Sequence, residues 1–525
     1  VYQKNNYKCP HDENNFYLDI LITLKKIILM LKKPKVLFWL NGVYLHYSLA
    51  YYLQKKIDGE FFGIVDINSK PKKFFQEQNL VNFKKMWYYH DFINTKSKNI
   101  DIDYLLNFEK KYKIDLWKYA LNERFFYLHN PFYKFTKNEI LAILEQELKL
   151  FESILDEINP DYFLTYNPVF HPQLLLLEMC RAKQIKVLSM CGATVNNLSI
   201  LVENGATFDL DSNAMASVPS NSQNSNPQVD LYNADFKEYL KGRNPNVTKK
   251  ITALKDYLST DDSDLIKSNY QYYGRSKSKV FLNSLLFEYN KFIRYRFLQK
   301  NSIIQPDLNT PFVYFPMNVD EEMNLLHYAP FFTNQIEVIR HVAKSIPIDH
   351  VLYVKDHIAS KLRGWKKIDY YKELLDIPNL KLIHPLFDND ELVKKSKLIV
   401  TIRGTSALKA VKFGKPSILF GEEPFQIIPS IFTVKNLNLL PELIKKALHC
   451  NVNSEDYKKY ETVLSSRTFR FNAYDYELTR NQHFWSGGIH SNVLISEKDM
   501  LSFLENNEEK LSDLTNAHIK SMSKN

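Results

Sequence analysis

The sequence predicts an α/β protein built on two doubly wound, mainly parallel sheets. Short apolar runs alternate with amphipathic stretches at strand–helix–strand spacing in both halves of the chain. A polar stretch at 211–229, with almost no large apolar group, separates those halves. The 525 residues suit several domains of roughly 150 residues each.

In the first half, KVLFWL at 35–40 reads as a buried strand, Asn41-Gly42 as a turn and 43–56 as a helix. FFGIVDI at 61–67 returns as a second strand. A helix at 137–158, a strand at 161–166, a helix at 172–183 and a strand at 185–190 follow. The expected divisions are an N-terminal tail and amphipathic helix at 1–34, a Rossmann-like domain at 35–210, and a loop and helical connector at 211–310. A second Rossmann-like domain is expected at 311–450 and a helical segment at 451–525. Within the second domain, strands are read at 312–315, 350–355, 380–384, 398–402 and 417–420, and helices at 335–345, 390–396 and 406–413.

Apolar residues make up 45% and charged residues 24%, which excludes a disordered, collagenous or mostly membrane-embedded chain. Lys plus Arg exceeds Asp plus Glu by 69 to 59, an excess that suits anionic substrates without requiring nucleic acid. The four cysteines form no C-x-x-C pair, so free thiols in a reducing compartment are expected. No signal peptide is read in the polar start of the chain. The apolar run at 17–31 is interrupted by Asp19, Lys25 and Lys26 and is too short to span about 30 Å of hydrocarbon. It reads as a packed amphipathic helix, with an interfacial helix as the alternative. The expected location is cytoplasmic, with peripheral contact at the inner membrane surface as a further expectation.

Ligands of open parallel sheets bind beyond the carboxyl ends of the strands. In TIRGTSALKAV (401–411) a buried strand runs into Gly404, and Thr405 and Ser406 open a helix. Amides, dipole and hydroxyls there suit a phosphate, and Arg403 can add a charge-assisted bond. Lys355 and His357, after the strand LYV, form a second anion-ready loop. His46 and His171 are the first-domain candidates for a general base, with His171 preferred because it follows a strand end.

The blocks PFVYFPMNVDEE (311–322), YVKDH (353–357) and NLKLIHPLFDNDELVKKSKLIVTIRGTSALKAVKFGKPSILFG (379–421) resemble the carboxyl-terminal half of capsular polysaccharide biosynthesis proteins. These are GT-B-fold glycosyltransferases related to the capsule Kdo transferases. The resemblance implies a GT-B-like fold, with two Rossmann-like domains facing a cleft and extra helices. It places Lys355 and His357 at the donor phosphates, Gly404, Thr405 and Ser406 at the turn before the donor helix, and Pro316, His384 and Pro385 near the nucleotide base. Gly414, Lys415 and Pro416 match a turn that positions the next strand. Ile358 stands where the family commonly has Pro, and Lys409 in the region where a Glu often meets the ribose. Arg403 occupies a position that is often small or polar.

The implied reaction is transfer of a sugar from a CMP- or UDP-linked donor to a capsular glycan or glycolipid acceptor, with no cofactor or metal required. A nucleotide-sugar epimerase or hydrolase on the same fold is the alternative. The departures at Ile358 and Lys409 motivate a third reading, a non-catalytic scaffold. Four D-x-D pairs occur (101/103, 209/211, 262/264, 388/390), and so many in an Asp-rich chain indicate coincidence rather than a metal site.

Overall fold

The computed structural model describes residues 33–94, 99–126, 128–193, 198–211, 213–216, 255, 269–485 and 492–523. The apolar run at 17–31, the loop at 217–229 and Asp262 and Asp264 lie outside them. The first half contributes β1 (Lys35–Asn41), α1 (Leu45–Leu53), β2 (Glu60–Asp66), β3 (Phe83–Tyr88) and α2 (Lys137–Ile158). Then come β4 (Tyr162–Tyr166), α3 (His171–Ala182), β5 (Lys186–Gly192) and β6 (Ser199–Val202). The five central residues of β1 are buried, as its unbroken apolar run requires of a strand covered on both faces. At the start of α2, Thr136 accepts from the Glu139 amide and Glu139 accepts from the Thr136 amide, a reciprocal cap written in the sequence as T-x-x-E.

The long α4 (Lys277–Asn301) leads to the second half. There follow β7 (Phe312–Pro316), α5 (Gln335–Ser345), β8 (Val351–Lys355), β9 (Leu380–Ile383), α6 (Asn389–Lys395) and β10 (Leu398–Thr401). Next are α7 (Ser406–Lys412), β11 (Ser417–Leu419), β12 (Ile431–Thr433), α8 (Leu440–Leu448) and α9 (Glu455–Ser465). The chain then crosses back: β13 (Thr468–Phe469) pairs with β6, and α10 (Ala473–Phe484), α11 (Glu497–Asn506) and α12 (Glu508–Met522) follow.

The strand order is β13-β6-β5-β4-β1-β2-β3 in the first sheet and β12-β11-β10-β7-β8-β9 in the second. The second sheet is parallel throughout, and the first is antiparallel only at β6 and β13. This is the two-domain, GT-B-like α/β architecture expected. Order reverses between β1 and β4 in one sheet and between β7 and β10 in the other, so each domain has one switch point where a crevice opens.

Strands β3, β6, β12 and β13 add to the expected set. β3 (FKKMWY) places two lysines among its apolar residues, as befits an edge, and the other three are four residues or shorter. The carboxyl-terminal residues do more than form helices. Tyr52 Oη donates to the Leu504 carbonyl at 2.9 Å, Tyr162 Oη donates to the Met522 carbonyl at 2.8 Å, and Leu511 and Leu514 join the core beneath β1. One apolar cluster also bridges the domains: Cys191, Ile200 and Phe208 of the first pack with Leu408, Leu419 and Phe425 of the second and with Tyr460 of α9. Cys180, Cys191 and Cys450 are free thiols, the first two buried, while Cys9 lies outside the described residues. Among the described residues no helix is long and apolar enough to cross a membrane.

Leu511→Ala should destabilise the first domain by about 2–5 kcal/mol, although the residue lies far from that domain in sequence. Urea unfolding followed by the tryptophan fluorescence that Trp39 contributes to reads this directly, and an unchanged midpoint would contradict the packing described.

Candidate functional site

At the second switch point, loops after β7, β8 and β10 meet. Lys355 ends β8 and is 7% exposed. Its ammonium carries three donors, and among the described residues only the Phe387 carbonyl accepts from it, at 3.2 Å. Burial lowers its pKa to about 8, against the opposing pull of Asp388, Asp356 and Asp390. Asp356 is fully buried and braces the loop by accepting from Tyr371 Oη, from Ser360 Oγ at 2.8 Å and from the His357 amide at 2.7 Å.

His357 lies exposed at the rim. Its Nδ1 accepts from the Ala359 amide at 3.1 Å, which in the neutral ring leaves Nε2–H as a donor on the open side. The protein around it lowers its pKa, with Lys355 and Lys366 adding to that effect. Both lysines thus lie close enough to act on the imidazole. Lys366 is held by Asp320 at 2.6 Å and reaches the Asn318 carbonyl at 3.4 Å. Asn318 Nδ2 in turn donates to the Arg403 carbonyl at 2.8 Å, tying the β7 loop to the β10 loop. His384 is buried with Nδ1 accepting from Leu386, and Lys355 helps to lower its pKa after burial. Pro385 is buried beside it, and Pro316 closes β7 with its carbonyl accepting from Thr401 Oγ1.

The turn at 403–406 differs from the expectation in one respect. Arg403 is 3% exposed and turns inward: Nε and Nη2 donate to Glu423 at 3.1 and 3.0 Å, and its guanidinium lies 4.5 Å from the Tyr328 ring centroid. Nη2 also reaches the Ala206 carbonyl of the first domain at 3.5 Å. The Gly404 amide is taken by Glu423 at 2.9 Å, and α7 has only seven residues. Arg403 and the Gly404 amide thus shape the turn rather than facing a phosphate. Gly404, at φ +140°, opens onto free space where a side chain would intrude. At Gly421 a Cβ would lie 2.8 Å from Arg403 Cγ, so that glycine makes room for the inward arginine. Thr405 and Ser406 are half-buried, with Ser406 Oγ 3.5 Å from Asn389 Nδ2. Lys409 is held by Asp390 at 2.9 Å, so it is engaged within its own domain.

The first domain answers with a charge network rather than a bare base. His171 is fully buried. Nδ1 lies 2.9 Å from Glu123 and Nε2 lies 2.9 Å from Glu147. Tyr89 and Tyr270 donate to the same Glu147. Burial alone would lower the pKa of His171, but Glu147 and the bonds to Glu123 outweigh it and push it to about 10. An imidazolium sealed between two carboxylates has no lone pair to offer, so the general-base expectation for His171 is not met. His46 faces His518 instead, and burial lowers it to about 3.

The network reaches the seam through the neighbours of Glu123 and His171. Arg124 Nη2 donates to the Val169 carbonyl at 3.3 Å, and His327 of the second domain donates to the same oxygen at 3.2 Å. Beyond them His129 lies 3.8 Å from Glu321, and Arg363 lies 3.4 Å from that carboxylate. Burial lowers the pKa of His129, against the pull of Glu321 and Asp320, so it is a neutral base at neutral pH. Sequence reasoning passed over His129 and Lys366: both sit in irregular segments with no motif around them. Next to this seam a cleft of about 410 Å³ runs between the domains, lined by Tyr119, Asn204, Tyr328, Phe332 and Glu422 among others.

The three D-x-D pairs among the described residues have local partners. Asp101 and Asp388 cap helices, Asp209 accepts from the Glu203 and Asn204 amides, and Asp390 holds Lys409. Among the described residues no three His, Cys, Asp or Glu side chains gather as a metal-holding group.

Because His171 is raised in the folded state, its contribution to stability is complete below the unfolded value near 6.5 and is lost as pH rises toward about 10. Wild-type stability should therefore fall across that window. His171→Gln should cost about 3–5 kcal/mol at neutral pH, since it strands two buried carboxylates, and should flatten the slope. Guanidinium unfolding at stepped pH tests both, and an unchanged slope in the variant would contradict the ionised triad.

No family model matches the sequence, and no curated protein matches it. Among solved structures, the UDP-GlcNAc 2-epimerase of Methanocaldococcus jannaschii is similar at 15% identity, covering 82% of this chain and 99% of its own, with a TM-score of 0.23. The Neisseria meningitidis UDP-GlcNAc 2-epimerase bound to UDP-GlcNAc is similar at 11% identity over 82% of this chain and 99% of its own, with a TM-score of 0.25. The Thermosulfurimonas dismutans KpsC β-Kdo 2,7 transferase is similar at 10% identity over 69% of this chain and 89% of its own, with a TM-score of 0.29. At these values the architecture rests on the strand order and register above, and the likeness assigns no substrate or reaction.

Proposed function

We propose that the chain is a glycosyltransferase that takes a sugar from a CMP- or UDP-linked donor and passes it to a glycan or glycolipid acceptor of a surface polysaccharide, acting in the cytoplasm. The observation that carries the reading is the buried ammonium of Lys355, with donors to spare, converging with His357 and Lys366 at the switch point of a parallel sheet. A desolvated cation with so few partners is stabilised by an anion, and a diphosphate or phosphodiester is one that spans three such groups.

In this reading the phosphate sits over the open space at Gly404, between the β8 and β10 loops. His357 Nε2–H, Lys355 and Lys366 take up the charge that develops on the leaving phosphate, a task that requires no metal. Asp356 positions Lys355 and His357, and Asn318 holds the facing loop. His384, Pro385 and Pro316 border the nucleotide base, while Thr405, Ser406 and Lys409 lie on the ribose side. An acceptor hydroxyl entering from the first domain meets His129, which accepts its proton while Glu321 stabilises the imidazolium that results.

A second reading rests on a separate observation. Asp320, Glu321 and Glu322 line the same loop beside Lys366, and carboxylates near the sugar are what an epimerase or hydrolase uses. Product analysis of a UDP-sugar incubated without any acceptor separates the two: transfer leaves the donor intact, whereas epimerisation or hydrolysis consumes it.

Calorimetric titration with UDP and with CMP tests the anion site. Lys355→Ala should weaken binding about 10- to 100-fold, as the loss of a charge-assisted bond does. Because the Lys355 pKa is near 8, wild-type affinity should decline above that pH, whereas Lys355→Ala should show no such decline. Gly404→Val should weaken binding as well, because its side chain would enter the open space and its backbone would be strained at φ +140°. Absence of binding to either nucleotide, or an affinity indifferent to Lys355, overturns the reading.

A further inference from the structure

We infer that the outer face of α4 is a docking surface for an anionic lipid bilayer, independent of the sugar chemistry proposed above. The helix runs for 25 residues, and only Leu298 is buried. Phe281, Leu282, Leu285, Leu286, Tyr289 and Phe292 are each between 49% and 64% exposed. At 3.6 residues per turn, these six fall within about 140° of arc. Single exposed apolar residues are commonplace, but six along one helical face are not.

The opposite face is the one that packs. Arg294 donates to the Gly364 and Trp365 carbonyls at 3.1 and 3.0 Å, Tyr295 stacks on Trp365 at 5.9 Å, and Phe297 stacks on Tyr371. Phe287 fills the space above Gly364, and Leu298 enters the second-domain core. The helix is thus anchored on one side and apolar on the other, which no requirement of its own fold explains.

Charge selects the occupant. The helix carries six basic residues against one acidic, Glu288. Of these Lys279, Arg296 and Lys300 are exposed alongside the apolar stripe. A second copy of the same helix would bring like charges together. A bilayer bearing anionic headgroups offers opposite charge to the basic residues and acyl chains to the aromatic and leucine side chains. The helix, about 37 Å long, would lie in the interface plane. Tyr295 also touches His384, with ring centroids 6.0 Å apart, so docking would bring the bilayer beside the anion site of the second domain.

The full chain should co-sediment with vesicles of phosphatidylcholine containing phosphatidylglycerol and not with phosphatidylcholine alone, and salt should release it. Leu282→Gln with Leu286→Gln, and separately Arg296→Glu with Lys300→Glu, should each lower the partition coefficient at least about tenfold. Circular dichroism and the thermal midpoint should be unchanged, because these side chains face solvent. Equal binding to neutral vesicles, or binding that both variants retain, overturns the proposal. So does a dimer on light scattering that the leucine variant converts to monomer, which would assign the face to a second copy.

Discussion

The carboxylate of Glu423 accepts from the Arg403 guanidinium and from the Gly404 amide at once. That pairing sets the shape of the β10 loop, and the same guanidinium covers Tyr328 and reaches the Ala206 carbonyl across the domain boundary. Burial raises the pKa of Glu423, and Arg403 is the group that opposes it. Loss of either partner would leave a charge in a dry seam, so the turn geometry depends on this contact, which also touches the first domain. Gly421 is part of the same arrangement because a larger residue would push Arg403 out.

Around that contact the two domains are joined by an apolar cluster as well as by polar bridges. Residues of β5, β6, α7, β11 and α9 share it. An interface of this kind resembles a core more than a transient contact, so the seam resists the free hinge motion that a purely polar boundary would permit. The cleft of about 410 Å³ lies beside it, with Tyr328, Ala206 and Gly421 among its lining residues.

Charges of the two domains are used differently. In the first, a buried imidazolium between Glu123 and Glu147 fixes the loop that carries Arg124 and the start of α3. Its role is positional, since every nitrogen is occupied. In the second, Lys355 is buried with donors left over and carboxylates only at a distance. The first arrangement is complete within the chain, whereas Lys355 has the Phe387 carbonyl as its acceptor among the described residues.

Local sequence determined most of the architecture. Unbroken apolar runs as short as KVLFWL, bounded by Pro34 and Asn41-Gly42, suit strands covered on both faces, and T-x-x-E fixes the start of α2 without reference to anything distant. The strand-end rule also led from sequence to Lys355 and His357, because loop position in a parallel sheet follows from strand direction. What only the tertiary structure decided is which charges face one another. Arg403 reads as a phosphate ligand until Glu423, twenty residues on, claims it. His171 reads as a base until Glu123 and Glu147 close on both nitrogens. His129 and Lys366 meet Glu321 and Asp320 only when distant loops come together. The return of β13 and α12 to the first sheet was likewise invisible, because a two-residue strand leaves no period to read. Period and propensity act over a few residues, whereas the electrostatics of a buried site is set by neighbours through space, and sequence distance carries no record of them.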